Sequence, residues 1–199
     1  MQAVKKETSP IFDGEVNRQL LAQALKVYLG NLRQATARTK TRSEINRSKK
    51  KWFKQKGTGN ARHGARTPAL FVGGGVVFGP TGEQNYHREL PAKMKRGALV
   101  AALRAQQAHV FLDDKVAKVD GKTKSAVAAL GERLHNDARV LLIVTEKKPE
   151  IVRSYNNLEA VYMTTPERVN ALQVASADEI VIASEALASL EKRLVNREK

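Results

Sequence analysis

The sequence has no cysteine, a single tryptophan and no long apolar run. The lack of cysteine excludes disulfide bonds, thiolate catalysis and cysteine-based zinc sites. The first twenty residues contain no basic stretch followed by an apolar one, and no segment approaches the length of a membrane span. We therefore expect a protein of a reducing compartment, located in the cytoplasm and without a membrane partner.

Acidic residues are also scarce. The chain has 20 Asp and Glu against 35 Lys and Arg, which gives a formal net charge of +15 and a pI near 10.2. Such an imbalance carries no information about the fold, but it predicts an anionic partner, which could be a nucleic acid, an acidic protein or a charged membrane surface.

The excess charge is concentrated in one part of the chain. Residues 38–96 contain 15 Lys and Arg and 3 Asp and Glu, a net charge of +12, so the remaining 140 residues carry only +3 of the total of +15. A solvated charge run is the alternative to a binding surface, but charge that served solubility alone would not need this segregation.

Elsewhere, helical and strand-like stretches alternate, which predicts an α/β fold with a parallel sheet flanked by helices. Residues 15–32 form the first expected helix, with an apolar stripe of Leu21, Leu25, Tyr28, Leu29 and Leu32, and residues 91–107 form the second. Further strands are expected at 109–112, 140–145, 160–164 and 179–184, and further helices at 124–135, 149–156, 166–172 and 185–197. Residues 140–144 are apolar at five successive positions, as in a central strand that is covered on both faces.

Residues 38–90, between the first two helices, show neither the periodicity of a helix nor that of a strand. We refer to them as the basic loop. They predict a long extended RNA-binding loop inserted into a globular α/β domain made of residues 1–37 and 91–199. An insertion of this length is usually functional or disordered. With about 26 residues in each direction it could extend at most roughly 85 Å.

The composition of the basic loop favours RNA. Lysine and arginine contact phosphates, aromatic rings stack on unpaired bases, and glycine lets the backbone approach a phosphate closely. Burial of Trp52 in a local cluster is the alternative to stacking. The predicted RNA-binding residues of the loop are Arg38, Lys40, Arg42, Arg47, Lys49, Lys50, Lys51, Trp52, Phe53, Lys54, Gln55, Lys56, Gly57, Thr58, Gly59, Asn60, Arg62, His63, Arg66, Gly73, Gly74, Gly75 and Arg88.

The second helix adds three candidates. Lys93, Lys95 and Arg96 crowd its first turns, where the helix dipole favours acidic side chains. A helix N-terminus with added cations suits a phosphate, so we predict RNA contacts here as well. The alternative is surface charge that salt screens.

Motifs for catalysis are incomplete. Gly57-Thr58-Gly59 and Gly73-Gly74-Gly75 each lack the third glycine of a dinucleotide fingerprint, and the four histidines show no metal-binding spacing. Asp113 and Asp114 end a predicted strand but have no nucleophile or base in sequence motifs beside them, so a polar turn is favoured. We predict no enzyme, no catalytic residues, no metal and no cofactor.

Three motifs in order carry a family resemblance: KQKGTGNARHG (54–64), FVGGGVVFGP (71–80) and LPAKMKRGAL (90–99). They resemble the large-subunit ribosomal protein L-four family in its bacterial form, and residues 36–47 resemble its entry into the loop. One departure is Asn60, where many members have arginine.

The resemblance implies a structural component of the large ribosomal subunit whose loop threads into ribosomal RNA. The loop tip would line the nascent-peptide exit tunnel near the L-twenty-two protein. By resemblance, the tip consists of Gln55, Lys56, Gly57, Thr58, Gly59, Asn60, Ala61 and Arg62. The expected partners are large-subunit ribosomal RNA and neighbouring subunit proteins, and no homo-oligomer is expected.

Two alternatives come from other classes of protein. A regulatory messenger-RNA-binding protein would share the charge, and this activity could also be an added role. A nucleotide-dependent α/β enzyme that uses the glycine-rich segment would instead bind mononucleotides. We expect the free loop to be disordered and to become ordered on RNA, because ordering about fifty residues costs about 1–2 kcal/mol each.

Overall fold

The computed structural model describes residues 2–3, 9–134 and 138–194. The secondary-structure elements, in chain order, are β1 (Gln2–Ala3), α1 (Arg18–Asn31), α2 (Ala92–Ala105), β2 (Val110–Leu112), α3 (Thr123–Leu130), β3 (Val140–Ile143), α4 (Pro149–Tyr155), β4 (Val161–Thr164), α5 (Ala171–Ser176), β5 (Glu179–Ile182) and α6 (Ser184–Leu194). Short 3-10 turns lie at Pro10–Phe12, Gln107–His109, Asp114–Ala117 and Gly131–Leu134.

The strands form a five-stranded sheet in the order β1-β2-β5-β3-β4. The last four strands are parallel to one another, whereas β1 pairs antiparallel with β2. Helices separate the parallel strands in sequence, as parallel pairing requires. The predicted α/β class with a parallel, helix-flanked sheet is confirmed.

The central strand β3 explains the uninterrupted apolar run. Leu141 and Ile143 belong to one core cluster together with residues of α2, α5 and α6, while Val140, Leu142 and Val144 belong to a second cluster with α3 and α4. All five side chains are almost fully buried. Alternate positions along a strand face opposite sides, so a strand covered on both sides needs apolar residues throughout.

Helix α2 packs through its small residues. Ala98, Ala101 and Ala102 are buried with Leu99 and Leu103. A Cβ on Gly97 would lie 3.0 Å from a methyl carbon of Leu20 in α1, so the small side chains permit a close approach of the two helices.

The predicted apolar stripe of α1 is partly wrong. Leu29 and Leu32 are 55% and 71% exposed, and the fully buried residue of this helix is Ala24. Leu21 and Tyr28 do pack against the core, three and four positions from Ala24. The stripe is therefore rotated towards Ala24, whose small side chain gave little periodic signal.

The helix expected at 166–172 is also wrong. Residues 166–168 form a turn, and the helix α5 begins after Asn170. The Asn170 side chain accepts a hydrogen bond from the Gln173 amide (2.9 Å), and the Gln173 side chain accepts one from the Asn170 amide (3.1 Å). This capping box starts the helix at Ala171, since it satisfies amides that lack partners in the first turn.

Other boundaries differ by a few residues. Helix α3 ends at Leu130 and a 3-10 turn follows, because Gly131 adopts a positive φ of 56°. The predicted strands at 140–145 and 179–184 are shorter, and β1 was not predicted because two residues carry no period. His135 and residues 195–197, which the predicted helices included, lie outside the described residues.

The described residues divide into two compact units. One is drawn from Met1–Leu29 and Glu89–Lys199 and contains the sheet, and the other is Gly30–Arg88 and contains most of the basic loop. Each is described by itself below.

Candidate RNA interface

The basic loop runs out and back on itself. Its outgoing limb (38–52) and its returning limb (64–81) are joined by backbone hydrogen bonds, and an isolated bridge pairs Arg38 with Thr81. The bonds run from Thr39 N to Pro80 O (2.9 Å), Val76 N to Lys40 O (3.0 Å), Arg66 N to Ser48 O (3.4 Å) and Trp52 N to Gly64 O (3.0 Å). Neither limb contains a regular helix or a strand of the sheet within the described residues 38–90. Eleven residues, 53–63, lie beyond the last cross-limb bond and include the expected tip.

The base of this unit is closed by one side-chain amide. Asn31 donates a hydrogen bond to the Arg88 carbonyl (3.0 Å) and accepts one from the Arg88 amide (2.8 Å). The Arg33 guanidinium lies 4.3 Å from the centroid of the Tyr86 ring in the same region. The backbone of Arg88 is therefore bonded to Asn31, whereas its side chain, which is predicted to bind RNA, is exposed.

The glycine-rich segment packs the two limbs together. A Cβ on Gly75 would lie 2.3 Å from the backbone nitrogen of Arg42, and one on Gly74 would lie 1.9 Å from the Pro68 carbonyl oxygen. Gly73 has a φ of +74° and lies against the Arg47 side chain. These glycines therefore have an intrachain role, and their predicted contact with RNA stays a prediction. Gly57 and Gly59, with positive φ, have open space around them instead.

Aromatic side chains gather where the limbs meet the tip. The Trp52 ring stacks on Phe53, with centroids 4.7 Å apart, and meets Phe71 edge-on at 5.0 Å. His63 lies 5.0 Å from Phe71, and the Arg66 guanidinium lies 4.9 Å from the Trp52 centroid. Trp52 belongs to a local aromatic cluster, which is the alternative to stacking on a base, but 43% of its surface stays exposed. Phe71 is not among the predicted RNA-binding residues, although it begins the motif at 71–80.

Most predicted cationic side chains of the loop are exposed, and several of them also make internal contacts. Arg38 forms an ion pair with Glu44. The Arg47 guanidinium donates a hydrogen bond to the Val72 carbonyl (2.7 Å) and is half-buried. The exposed cations are Arg38, Lys40, Arg42, Lys49, Lys50, Lys51, Lys54, Lys56, Arg62, Arg66 and Arg88. Gln55, Thr58, Asn60 and Ala61 are exposed as well, whereas Phe53 and His63 are half-buried.

Glu44 is one of the few acidic residues in this region, and its carboxylate contacts groups of the same limb. Its carboxylate accepts hydrogen bonds from the Thr41 amide (2.8 Å) and the Thr41 hydroxyl (3.0 Å). These bonds, the Thr41 amide foremost, together with Arg38 lower the pKa of Glu44 to about 2. Glu44 therefore stays ionised at neutral pH and stabilises a turn of the outgoing limb.

A second basic surface lies on the unit that contains the sheet. Lys93 and Lys95 of α2 are exposed and Arg96 is half-buried. Lys95 and Arg96 line a shallow depression with Lys192 and Arg193 of α6. Burial, and to a lesser extent Arg96, lowers the pKa of Arg193. The structure thus brings like charges from two helices together, and the α6 residues were missed because they lie nearly a hundred positions away in the sequence.

The carboxylates at the strand ends serve as caps. Asp113 accepts a hydrogen bond from the Lys115 amide (3.0 Å), and Asp114 accepts one from the Ser184 amide at the start of α6 (2.9 Å). The Ser184 bond lowers the pKa of Asp114. Both carboxylates thus act in a polar turn. The described ranges contain no group of three or more side chains suited to a metal ion, and none of their helices is long and apolar enough to cross a bilayer.

Comparison with known proteins identifies the class. The model of the ribosomal protein L4/L1 family matches residues 7–193. The protein named large ribosomal subunit protein uL4 from Aquifex pyrophilus is 39% identical over 188 residues, which cover 92% of this chain and 94% of the relative. The proteins of the same name from Symbiobacterium thermophilum and Campylobacter jejuni are 36% and 38% identical, covering 92% and 89% of this chain and 89% and 87% of the relatives.

The chain belongs to the ribosomal protein L4/L1 family. It is therefore a structural ribosomal protein of the large-subunit type and not an enzyme, and the predicted family is confirmed.

Proposed function

We propose that the basic loop anchors this protein in large-subunit ribosomal RNA and that its tip lines the nascent-peptide exit tunnel. The observation that carries the proposal is the net charge of +12 on residues 38–96, where 13 of the 15 cationic side chains are exposed. Neutralising phosphates and releasing their counterions is the main source of affinity for nucleic acid. The tip, residues 55–62, would approach the tunnel near the L-twenty-two protein.

The hydrogen bonds within the loop are too few to keep it ordered without RNA. The cross-limb backbone bonds are few, and each contributes about 1 kcal/mol. Ordering each residue costs about 1–2 kcal/mol, so these bonds cannot offset the ordering of some fifty residues. We infer that the free loop is disordered and that RNA selects the paired-limb conformation. The protein would then act as a monomeric component of cytoplasmic ribosomes, without a cofactor.

Charge removal tests the proposal. Replacing Lys49, Lys50 and Lys51 by glutamine is expected to weaken binding to a transcript of the large-subunit ribosomal RNA. The matched control replaces Lys122, Lys124 and Lys147, three exposed lysines of the other unit. In filter binding between about 50 and about 200 mM salt, the slope of log K against log salt should fall by about 2 to 3 in the loop variant only. Equal slopes in the two variants would contradict the proposal.

Limited proteolysis of the isolated protein tests the order of the loop. Trypsin should cleave within residues 38–88 and leave the sheet-containing unit intact, whereas bound RNA should protect the same sites. A loop that resists trypsin without RNA would show that it is ordered by itself.

Regulation of a messenger RNA is the second candidate, because the same cationic surface would serve it. Sedimentation of cell extract through a high-salt gradient separates the two. Protein that stays with the large subunit supports the structural role, whereas protein found mainly in light fractions supports the regulator.

A further inference from the structure

The returning limb presents one aromatic side chain entirely to solvent. Phe78 is 103% exposed, more than any other large apolar side chain of the described residues. Its φ is +55°, and in the part of the chain that the structure describes it is the one residue other than glycine with a positive φ. Bulky side chains rarely adopt this conformation, and such outliers concentrate at binding sites.

Hydrogen bonds on both sides fix the turn that carries Phe78. The Val76 amide donates to the Lys40 carbonyl (3.0 Å), and the Pro80 carbonyl accepts from the Thr39 amide (2.9 Å) and the Thr39 hydroxyl (3.3 Å). Five residues of the returning limb, 76–80, thus oppose only two of the outgoing limb. The excess residues must bulge outward, as in a β-bulge.

A glycine beside Phe78 holds the bulge against the outgoing limb. A Cβ on Gly79 would lie 2.0 Å from the Thr39 hydroxyl oxygen, so only glycine allows this approach. With its neighbour packed inward, the Phe78 ring points away from the paired limbs.

The surroundings of the bulge indicate what the ring binds. Lys40 and Arg42, on the outgoing limb next to the bulge, are exposed cations. Trp52 contacts both Phe53 and Phe71 in the aromatic cluster described above. An aromatic ring flanked by free cations is complementary to an unpaired nucleotide, whose base offers a face for stacking and whose phosphates are anionic. An apolar protein surface would leave those cations without partners.

We propose that Phe78 is a base-stacking residue that packs on an unpaired base of the ribosomal RNA while Lys40 and Arg42 contact the flanking phosphates. The inference rests on the proposed function and deepens it, since it names the nucleotide chemistry recognised by a part of the loop outside the predicted RNA-binding residues.

Binding of the full chain to a large-subunit ribosomal RNA transcript tests the inference. Phe78→Ala should weaken binding by about 5- to 100-fold, the loss expected when one stacked base loses its partner. The slope of log K against log salt should not change, because no charge is removed. Phe78→Trp should keep the affinity. Lys40→Gln should lower the slope, and Val72→Ala, a 95% exposed apolar position of the same limb, should leave binding unchanged.

A second variant separates stacking from an effect on the limb itself. Phe78→Gly relieves the positive φ, so the turn should form at least as easily, yet binding should be as weak as for Phe78→Ala. A photoreactive benzoylphenylalanine at position 78 should crosslink to an unpaired nucleotide of the transcript.

The possible failures are distinguishable. Wild-type affinity in Phe78→Ala or Phe78→Gly, an equal loss in Val72→Ala, or a crosslink confined to paired RNA would overturn the stacking role and leave RNA anchoring standing. A crosslink in intact ribosomes to protein rather than RNA would overturn it as well. A wild-type chain that does not bind the transcript would overturn both proposals.

Discussion

Loss of Glu179 should destabilise the unit that contains the sheet. The Arg133 guanidinium lies 3.7 Å from the Glu179 carboxylate and 3.6 Å from the Phe111 centroid. The Arg133 side chain is only 12% exposed, and that of Glu179 is 28% exposed. At 3.7 Å the pair is in electrostatic contact but too long for a hydrogen bond, and both facing atoms lack any other hydrogen-bond partner in the described residues.

The size of the effect follows from this geometry. With an effective dielectric constant of about 20, two charges at this distance attract by roughly 4 kcal/mol before desolvation is subtracted. Glu179→Gln keeps the shape but leaves the Arg133 charge without its counter-ion. Because water reaches part of Glu179, we expect a loss of about 1–3 kcal/mol, less than for a fully buried pair.

Urea unfolding followed by circular dichroism measures this loss. With a slope of about 1–3 kcal/mol per molar urea, the midpoint should fall by about 1 M. The control is Arg139→Gln, which removes the pair between Arg139 and Asp178 (3.5 Å), where both side chains are more than half exposed, and it should leave the midpoint unchanged. Equal midpoints for wild type and Glu179→Gln, or a larger drop in the control, would refute the reasoning.

Two further predictions concern the core and the limbs. Tyr155→Phe removes the hydrogen bond to the Val116 carbonyl (3.1 Å) and should cost about 1–3 kcal/mol in urea unfolding. Burial, and to a lesser extent Asp113, raises the pKa of Tyr155 from 10.0 to about 12. The contribution of the Tyr155 hydroxyl to stability is therefore complete below pH 10.0 and is lost as the pH rises to about 12. The Tyr155→Phe variant should not show this decline. Gly75→Ala should weaken binding to the ribosomal RNA transcript by about 5- to 100-fold, because its Cβ would overlap the backbone of the opposite limb at a cost of about 1–3 kcal/mol, whereas Gly64→Ala, which has open space, should bind as wild type does.

The sheet could be predicted from the sequence because its central strand is apolar on both faces. The run from Val140 to Val144 leaves few alternatives to a covered parallel strand, and the alanines of α2 give a clear helical period. The misplaced helix near residue 170 shows the limit, since Asn170 and Gln173 form a capping box only when their side chains reach each other. The amino-acid sequence alone gives little indication of such local hydrogen-bond geometry.

The basic loop was recognisable by charge and by motif, but its internal pairing was not. Nothing in the sequence relates Val76 to Lys40 or Pro80 to Thr39, because the loop has no period to set a register. The sequence predicts that Gly74 and Gly75 contact RNA, whereas the contacts that the structure shows for them lie within the chain. Phe78 escaped notice because full exposure and a positive φ appear only in three dimensions.

The unit Gly30–Arg88 is closed at its base by bonds that carry no net charge. Both bonds join the neutral Asn31 amide to the Arg88 backbone, so salt that screens the cations along the limbs leaves them intact. Ionic conditions that weaken the binding of the loop to a polyanion should therefore leave this base closed.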